Sequence, residues 1–172
     1  ADNLIEANLT GHDSHGIGML PRYVEAYFEG GLKPNAHVHT VLDAGALLRL
    51  DGDTGFGQVI GREAMALGIE RAHALGNCIV ALGNSHHLGR IGAWAEQATR
   101  AGLVSMHFVN VIARPIVAPF AGGDARFGTN PFAVGIPLAG RDPVVLDFAT
   151  SQLAQGKTRV AFNKGELLPP GC

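Results

Sequence analysis

The spacing of hydrophobic positions changes several times along the chain, and each change marks an element. In 21–29, Tyr23, Val24 and Phe28 share one helix face, Gly30-Gly31 ends the helix and Pro34 lies just beyond. Ala46-Leu47-Leu48-Arg49-Leu50 reads as a strand closed by Asp51-Gly52-Asp53. A helix follows over 58–75, with Ile60, Ala64, Leu67 and Ala74 at helical spacing, Arg71 interrupting the stripe and Gly76 as C-cap. Cys78-Ile79-Val80-Ala81-Leu82 is an unbroken apolar run, the pattern of a strand buried on both faces. A helix over 88–101 and a strand over 104–111 come next. Strand, helix, strand, helix, strand in that order predicts an α/β protein with parallel pairing through right-handed crossovers. Beyond a glycine- and proline-containing loop at 113–130 the chain becomes richer in strand, at 132–136 and 144–148.

Composition narrows the class. A chain of 172 residues that is 47% hydrophobic can bury one sizeable core. Its net charge of -2, from 13 basic and 15 acidic residues, forms no basic stripe, so no nucleic-acid partner is expected. No apolar stretch reaches the roughly 18 residues of a membrane span, and no secretory leader pattern opens the chain. The expectation is a soluble, cytoplasmic protein without membrane contact. Cys78 and Cys172 lack framework spacing, so disulfides are not expected. Residues 1–8 read as the last turns of a helix without an N-cap, and Pro169-Pro170-Gly171-Cys172 stops in a turn, so the chain reads as truncated at both ends.

Four segments carry the candidate chemistry. His12-Asp13-Ser14-His15-Gly16 puts two imidazoles, a carboxylate and a hydroxyl in one loop, able to exchange protons, bind an anion or hold a metal. The simpler reading is a capping loop with Asp13 or Ser14 as the cap. Asn84-Ser85-His86-His87-Leu88-Gly89-Arg90 lies between the end of a strand and the start of a helix, where ligands collect in open α/β sheets. A histidine there can serve as acid or base, and the free amides of Gly89, Arg90 and Ile91 can take a phosphate, with Arg90 adding charge. Against this stands a histidine merely packed under the loop and an Arg90 on the surface. Gly128-Thr129-Asn130-Pro131 suits a tight turn or hydrogen bonds to a ribose or carboxylate. In Val145-Leu146-Asp147-Phe148-Ala149-Thr150-Ser151, Asp147 can accept ribose hydroxyls or cap a helix.

Two further motifs are set aside. Gly55-x-Gly57 with Gly61 is one residue too long for the strict dinucleotide fingerprint, and the next strand ends at Gly83-Asn84 without the acidic ribose ligand. The cluster is read as a tight turn with close packing. Gln155-Gly156-Lys157-Thr158 lacks the upstream glycine of a P-loop, since position 151 is serine.

Taken in order, Gly11-His12-Asp13-Ser14-His15-Gly16, Asn84-Ser85-His86-His87-Leu88-Gly89-Arg90-Ile91-Gly92, Arg126-Phe127-Gly128-Thr129-Asn130-Pro131 and Asp147-Phe148-Ala149-Thr150-Ser151 resemble the malate/lactate/ureidoglycolate dehydrogenase family, over essentially the whole chain. The resemblance implies a non-Rossmann α/β fold with a mixed sheet and crossover helices. Residues 1–40 would then belong to a helical N-terminal region and 41–172 to the start of the NAD(P)-binding domain. It implies a homodimer that transfers hydride between NAD or NADP and a small 2-hydroxy or 2-oxo acid. By position, His87 corresponds to the family's proton-exchanging histidine, which leaves His86 a neighbour. His15 corresponds to a cofactor-contacting histidine, Gly89, Arg90 and Ile91 to one nucleotide-contacting segment, and Val145, Leu146, Asp147, Phe148 and Ala149 to another. Ser14 and Asn130 are further candidates for substrate or cofactor contact. Several relatives carry Arg five positions after the Ser of Ser-His-Gly, where this chain has Met19, with Arg22 three residues later.

Two other readings compete. A zinc-dependent hydrolase would use His12, His15 and His87, although neither His-Glu-x-x-His nor a cysteine pair is present, and no metal is expected. A truncated, non-catalytic assembly module would keep the fold without a complete site.

Overall fold

The computed structural model describes residues 1–170. Helix α1 (Asp2–Leu9), two short 3-10 turns (Asp13–His15 and Ile17–Met19) and α2 (Leu20–Phe28) form the start of the chain. They are followed by β1 (His39–Ala44), β2 (Leu47–Asp51), α3 (Gly57–Leu75), β3 (Ile79–Gly83) and α4 (Gly92–Arg100). The last part holds β4 (Ser105–Phe108), β5 (Phe132–Leu138), β6 (Arg141–Phe148) and α5 (Gln155–Lys164).

The strands form two three-stranded sheets, ordered β1-β2-β3 and β4-β5-β6. In the first, β1 and β2 are an antiparallel hairpin turned at Gly45, whose φ of 69° suits a residue without Cβ. Strand β3 pairs parallel with β2 across the α3 crossover. The second sheet is wholly antiparallel. The α/β class and the mixed sheet therefore agree with the sequence reading, whereas parallel pairing extends to one crossover only. Strand β4 leaves the first sheet and pairs with β5, a partner more than twenty residues downstream.

Local chemistry explains the boundaries. Helix α3 ends at Gly76 in the left-handed region, with its amide bonded to Ala72 O. Arg71, which breaks the apolar stripe, forms a two-pronged pair with Asp43 at 2.6 and 2.8 Å and also donates to Gly45 O. It ties the end of α3 to the β1-β2 hairpin. The expected helix over 88–101 starts only at Gly92, because Gly89 stands at φ 73°. The unbroken apolar run of β3 is not buried on both faces. Val80 and Leu82 pack with Leu48, Leu50 and Ala64 beneath α3, but Ile79 is 66% exposed, because β3 is an edge strand covered on one side.

Three small apolar clusters serve as core. Leu4, Tyr23 and Leu32 join the first two helices, with Phe56 packed against them. Leu48, Leu50 and Ala64 fill the space under α3. Ile91, Trp94 and Ala133 join α4 to the second sheet. The glycines of 55–61 act in this packing. A Cβ on Gly57 would lie 2.0 Å from the His87 carbonyl oxygen, and one on Gly61 would meet the Trp94 ring at 2.7 Å.

The second sheet covers one face only. Alternate residues on the side away from α4 form the cross-strand rows Met106–Val134–Leu146 and Phe108–Phe132–Phe148. Most of this apolar surface is open: Phe108 is 80% exposed and Met106 65%. Among the described residues, no helix is long and apolar enough to cross a membrane.

Candidate active site

The first two motifs meet face to face. The rings of His15 and His87 stack with centroids 5.4 Å apart, and His12 lies edge-on to His15 at 5.9 Å. Asn8 on α1 shapes the first loop, donating to Asp13 at 2.5 Å and accepting from the Ile17 amide at 2.9 Å. Gly16 is required there, since a Cβ would collide with the Asn8 amide. Neither Asp13 nor Ser14 caps the following turns. Ser14 instead pairs its hydroxyl with His15 Nδ1 at 2.9 Å, and Gly156 of α5 lies against its Cβ.

His87 is held from the other side by α2 and α3. Tyr23 Oη lies 2.9 Å from His87 Nδ1, and Gln58 Nε2 donates to the same phenol oxygen at 2.7 Å. His86 turns edge-on to the Tyr23 ring, and its Nδ1 is buried without a hydrogen bond. Tyr23 also walls an apolar groove of about 330 Å³ lined by Leu20, Val24, Tyr27, Phe28 and Phe56. Val24 and Phe28 thus share a face with Tyr23 as expected, but it borders open space.

Burial removes water from these imidazoles and disfavours their cationic forms. For His87 this effect dominates, and the neighbouring His15, His86 and Arg22 add repulsion, so its pKa is pushed down to about 4. His15 is lowered by burial and by His12, with Asp147 opposing. His86 is lowered by burial and by Arg22. The Tyr23 phenol is raised by burial, against the Gln58 hydrogen bond. At neutral pH the site therefore holds a neutral His87 beside a protonated phenol.

The remaining motifs close a corner next to this pair. Asp147 Oδ2 accepts from the Gly92 amide at 2.7 Å, so it caps α4, which lies 55 positions earlier in the chain. Val145 and Asp147 occupy the half-buried side of β6, whereas Leu146 and Phe148 face the open side of the sheet. Thr150, just past Ala149, bonds to the carbonyls of Thr129 and Asn130, which ties the third motif to the fourth. Asn130 uses Oδ1 to accept from the Val111 amide. Arg90 is almost fully buried, with its guanidinium committed to Glu96 at 2.6 and 2.8 Å. The amides of Gly89, Arg90 and Ile91 have no partner among the described residues.

Sequence reasoning missed Tyr23 and Gln58 as site residues. Tyr23 reads as a core aromatic, and the contacts that redefine it span 64 and 35 positions. A polar Gln58 in the first turn of α3, next to glycines that admit another backbone, was the available signal. The zinc reading finds little support in geometry. His15 and His87 each engage Nδ1 with a hydroxyl, and among the described residues no three His, Cys, Asp or Glu side chains converge to hold a metal.

The chain is a member of the malate/L-lactate dehydrogenase family, which it matches over residues 1–172. It is 61% identical over 172 residues to hydroxycarboxylate dehydrogenase B of Escherichia coli, covering 100% of this chain and 48% of that protein. It is 46% identical over 173 residues to an L-lactate dehydrogenase of Cupriavidus necator, covering 99% of this chain and 50% of that one. The solved sulfolactate dehydrogenase of Methanocaldococcus jannaschii superposes with a TM-score of 0.89 at 36% identity, over 99% of this chain and 49% of that chain. The chain thus spans about half the length of the curated relatives it matches.

Proposed function

We propose that this chain carries the proton-exchanging part of an NAD(P)-dependent 2-hydroxycarboxylate dehydrogenase. The observation that carries the reading is a neutral, water-shielded His87 locked between His15 and Tyr23, two residues ahead of amides that no described residue uses. His87 takes the hydroxyl proton of a 2-hydroxy acid during oxidation and returns a proton to the 2-oxo acid in the reverse direction. Bound NAD or NADP supplies the hydride acceptor or donor.

The residues at the corner fit such a cofactor. Unpaired amides at Gly89, Arg90 and Ile91 suit a phosphate ahead of α4. Asp147 spends Oδ2 on Gly92 and has Oδ1 left for a hydroxyl. Val145 and Ala149 line the same strand end, Leu146 and Phe148 support it from the open face, and His15 offers Nε2. Because both terminal nitrogens of the Arg90 guanidinium are taken by Glu96, its contribution falls to the backbone amide. Ser14 orients His15, and Asn130 shapes the adjoining loop. The reading extends to a cytoplasmic homodimer, for which the uncovered apolar face of the second sheet is the supporting feature.

The test is His87→Ala in the natural full-length protein. Turnover of 2-oxo acids is expected to fall by roughly 100-fold or more, while NADH or NADPH fluorescence titration stays unchanged. Near-normal turnover would sink the assignment.

A further inference from the structure

A neutral histidine has one N–H, and which ring nitrogen bears it decides whether the other can act as a base. At His87 the surroundings settle the matter through two hydrogen bonds. Gln58 presents Nε2 to the Tyr23 oxygen, and an amide nitrogen only donates. The phenol oxygen is therefore an acceptor towards Gln58. Its own single proton then has one partner among the described residues, His87 Nδ1 at 2.9 Å. A nitrogen that accepts this proton cannot carry another, so the N–H of the neutral ring is at Nε2. Burial keeps the phenol protonated, which maintains the donor. Nε2 itself bonds to no described residue and is left for a ligand.

We propose that Gln58 and Tyr23 are positioning residues that hold neutral His87 as its Nε2–H tautomer, so that the resting site offers a hydrogen-bond donor to the carbonyl oxygen of a 2-oxo acid. The inference rests on the reading of His87 as the proton-exchanging group. It makes the site asymmetric. A 2-oxo acid is hydrogen-bonded by the resting tautomer directly, and the proton that Nε2 gives up is replaced at Nδ1 by the phenol proton, itself restored from solvent. A 2-hydroxy acid instead needs a bare Nε2, reached only when the proton moves to Nδ1 and Tyr23 turns its own proton elsewhere. The relay is built from groups that keep the Tyr23 ring in the Leu4–Leu32 cluster, so Tyr23→Phe removes one hydroxyl and leaves the packing.

The tautomer is read directly by nitrogen-15 NMR of the natural full-length protein carrying ring-labelled histidine, near pH 7 and without substrate. Wild-type His87 is expected as Nε2–H, and Tyr23→Phe as a mixture of both tautomers. Gln58→Glu, whose carboxylate accepts the phenol proton, is expected to turn the relay round and favour Nδ1–H. In turnover, Tyr23→Phe should raise KM for a 2-oxo acid roughly tenfold and move KM for the 2-hydroxy acid less. A wild-type proton on Nδ1, or a tautomer unchanged in both variants, overturns the inference. If Tyr23→Phe does not fold, Gln58→Glu alone decides. Because the spectrum needs no turnover, an active His87→Ala protein would overturn the proposed proton exchange and leave the tautomer result standing.

Discussion

The two halves of the molecule treat their apolar residues differently. Around the β1-β2-β3 sheet and the histidine pair, side chains from α1, α2, α3 and the β3-α4 loop interlock, and Leu50 is 1% exposed. In the β4-β5-β6 sheet, α4 covers one face and rows of Met, Phe, Leu and Val stand open on the other. The histidine pair sits on this interlocked side, although the α2 face beside it borders an open apolar groove. His87 finds a dry, fixed environment in the first half, and the second half reaches the adjoining corner through Asp147.

The sharpest probe of this contrast is a pair of truncations. Leu50→Ala should destabilise the 172-residue chain by about 4 kcal/mol, as expected for a fully enclosed aliphatic side chain. Met106→Ala should cost roughly 0.5 kcal/mol in the same denaturation experiment. A cost for Met106→Ala several times greater would show that further polypeptide or a second copy covers the open face.

Acid titration comes next, and it weighs the first half more heavily: three lowered histidines lie there, whereas in the second sheet His107 is lowered by burial with Asp147 opposing. His87 has a folded pKa of about 4 against an ordinary value of 6.5, so between these values the unfolded chain binds the extra proton. Stability is therefore full above pH 6.5, declines as pH falls towards 4, and levels off below it, a loss of about 3 kcal/mol from this group. His15 and His86 are shifted in the same direction and add to it. His87→Phe should flatten this part of the profile measured by urea unfolding at each pH.

The smallest effect is expected at Arg22. It is exposed, has no ion-pair partner among the described residues, and its charge is felt by both His86 and His87. Arg22→Gln should raise KM for an anionic 2-oxo acid by roughly fivefold and lift the His87 pKa slightly, read from the acid limb of the rate profile. An unchanged KM would remove Arg22 from carboxylate recognition.

The parts of the fold legible in sequence are those whose signal is local. The α3 helix, its glycine cap and the β2-α3-β3 crossover follow from periodicity and turn residues. Strand β1 escaped because all six of its positions are exposed, so no alternation marks it. Helix α5 escaped because its run, Gln155 to Lys164, lacks an apolar stripe. The two-face burial expected of β3 failed because an apolar run does not reveal how many neighbours a strand has. At the site, the His12–His15 and His86–His87 motifs stand out by residue type. What His87 touches does not, because Tyr23 and Gln58 come from distant elements and look like packing residues in isolation. The rejected P-loop segment Gln155-Gly156-Lys157-Thr158 touches Ser14 through Gly156, while the side chains of Gln155, Arg159 and Val160, like Gly171 and Cys172, lie outside the described residues.

The Asp147 cap on Gly92 also has a consequence in time. Among the described residues, His15, Tyr23 and Gln58, which hold His87, all precede it in the chain. The corner beside it waits for a carboxylate 55 positions after Gly92, a long loop to close. The histidine pair thus rests on contacts made within one stretch of chain, whereas the start of α4 depends on a carboxylate delivered by β6.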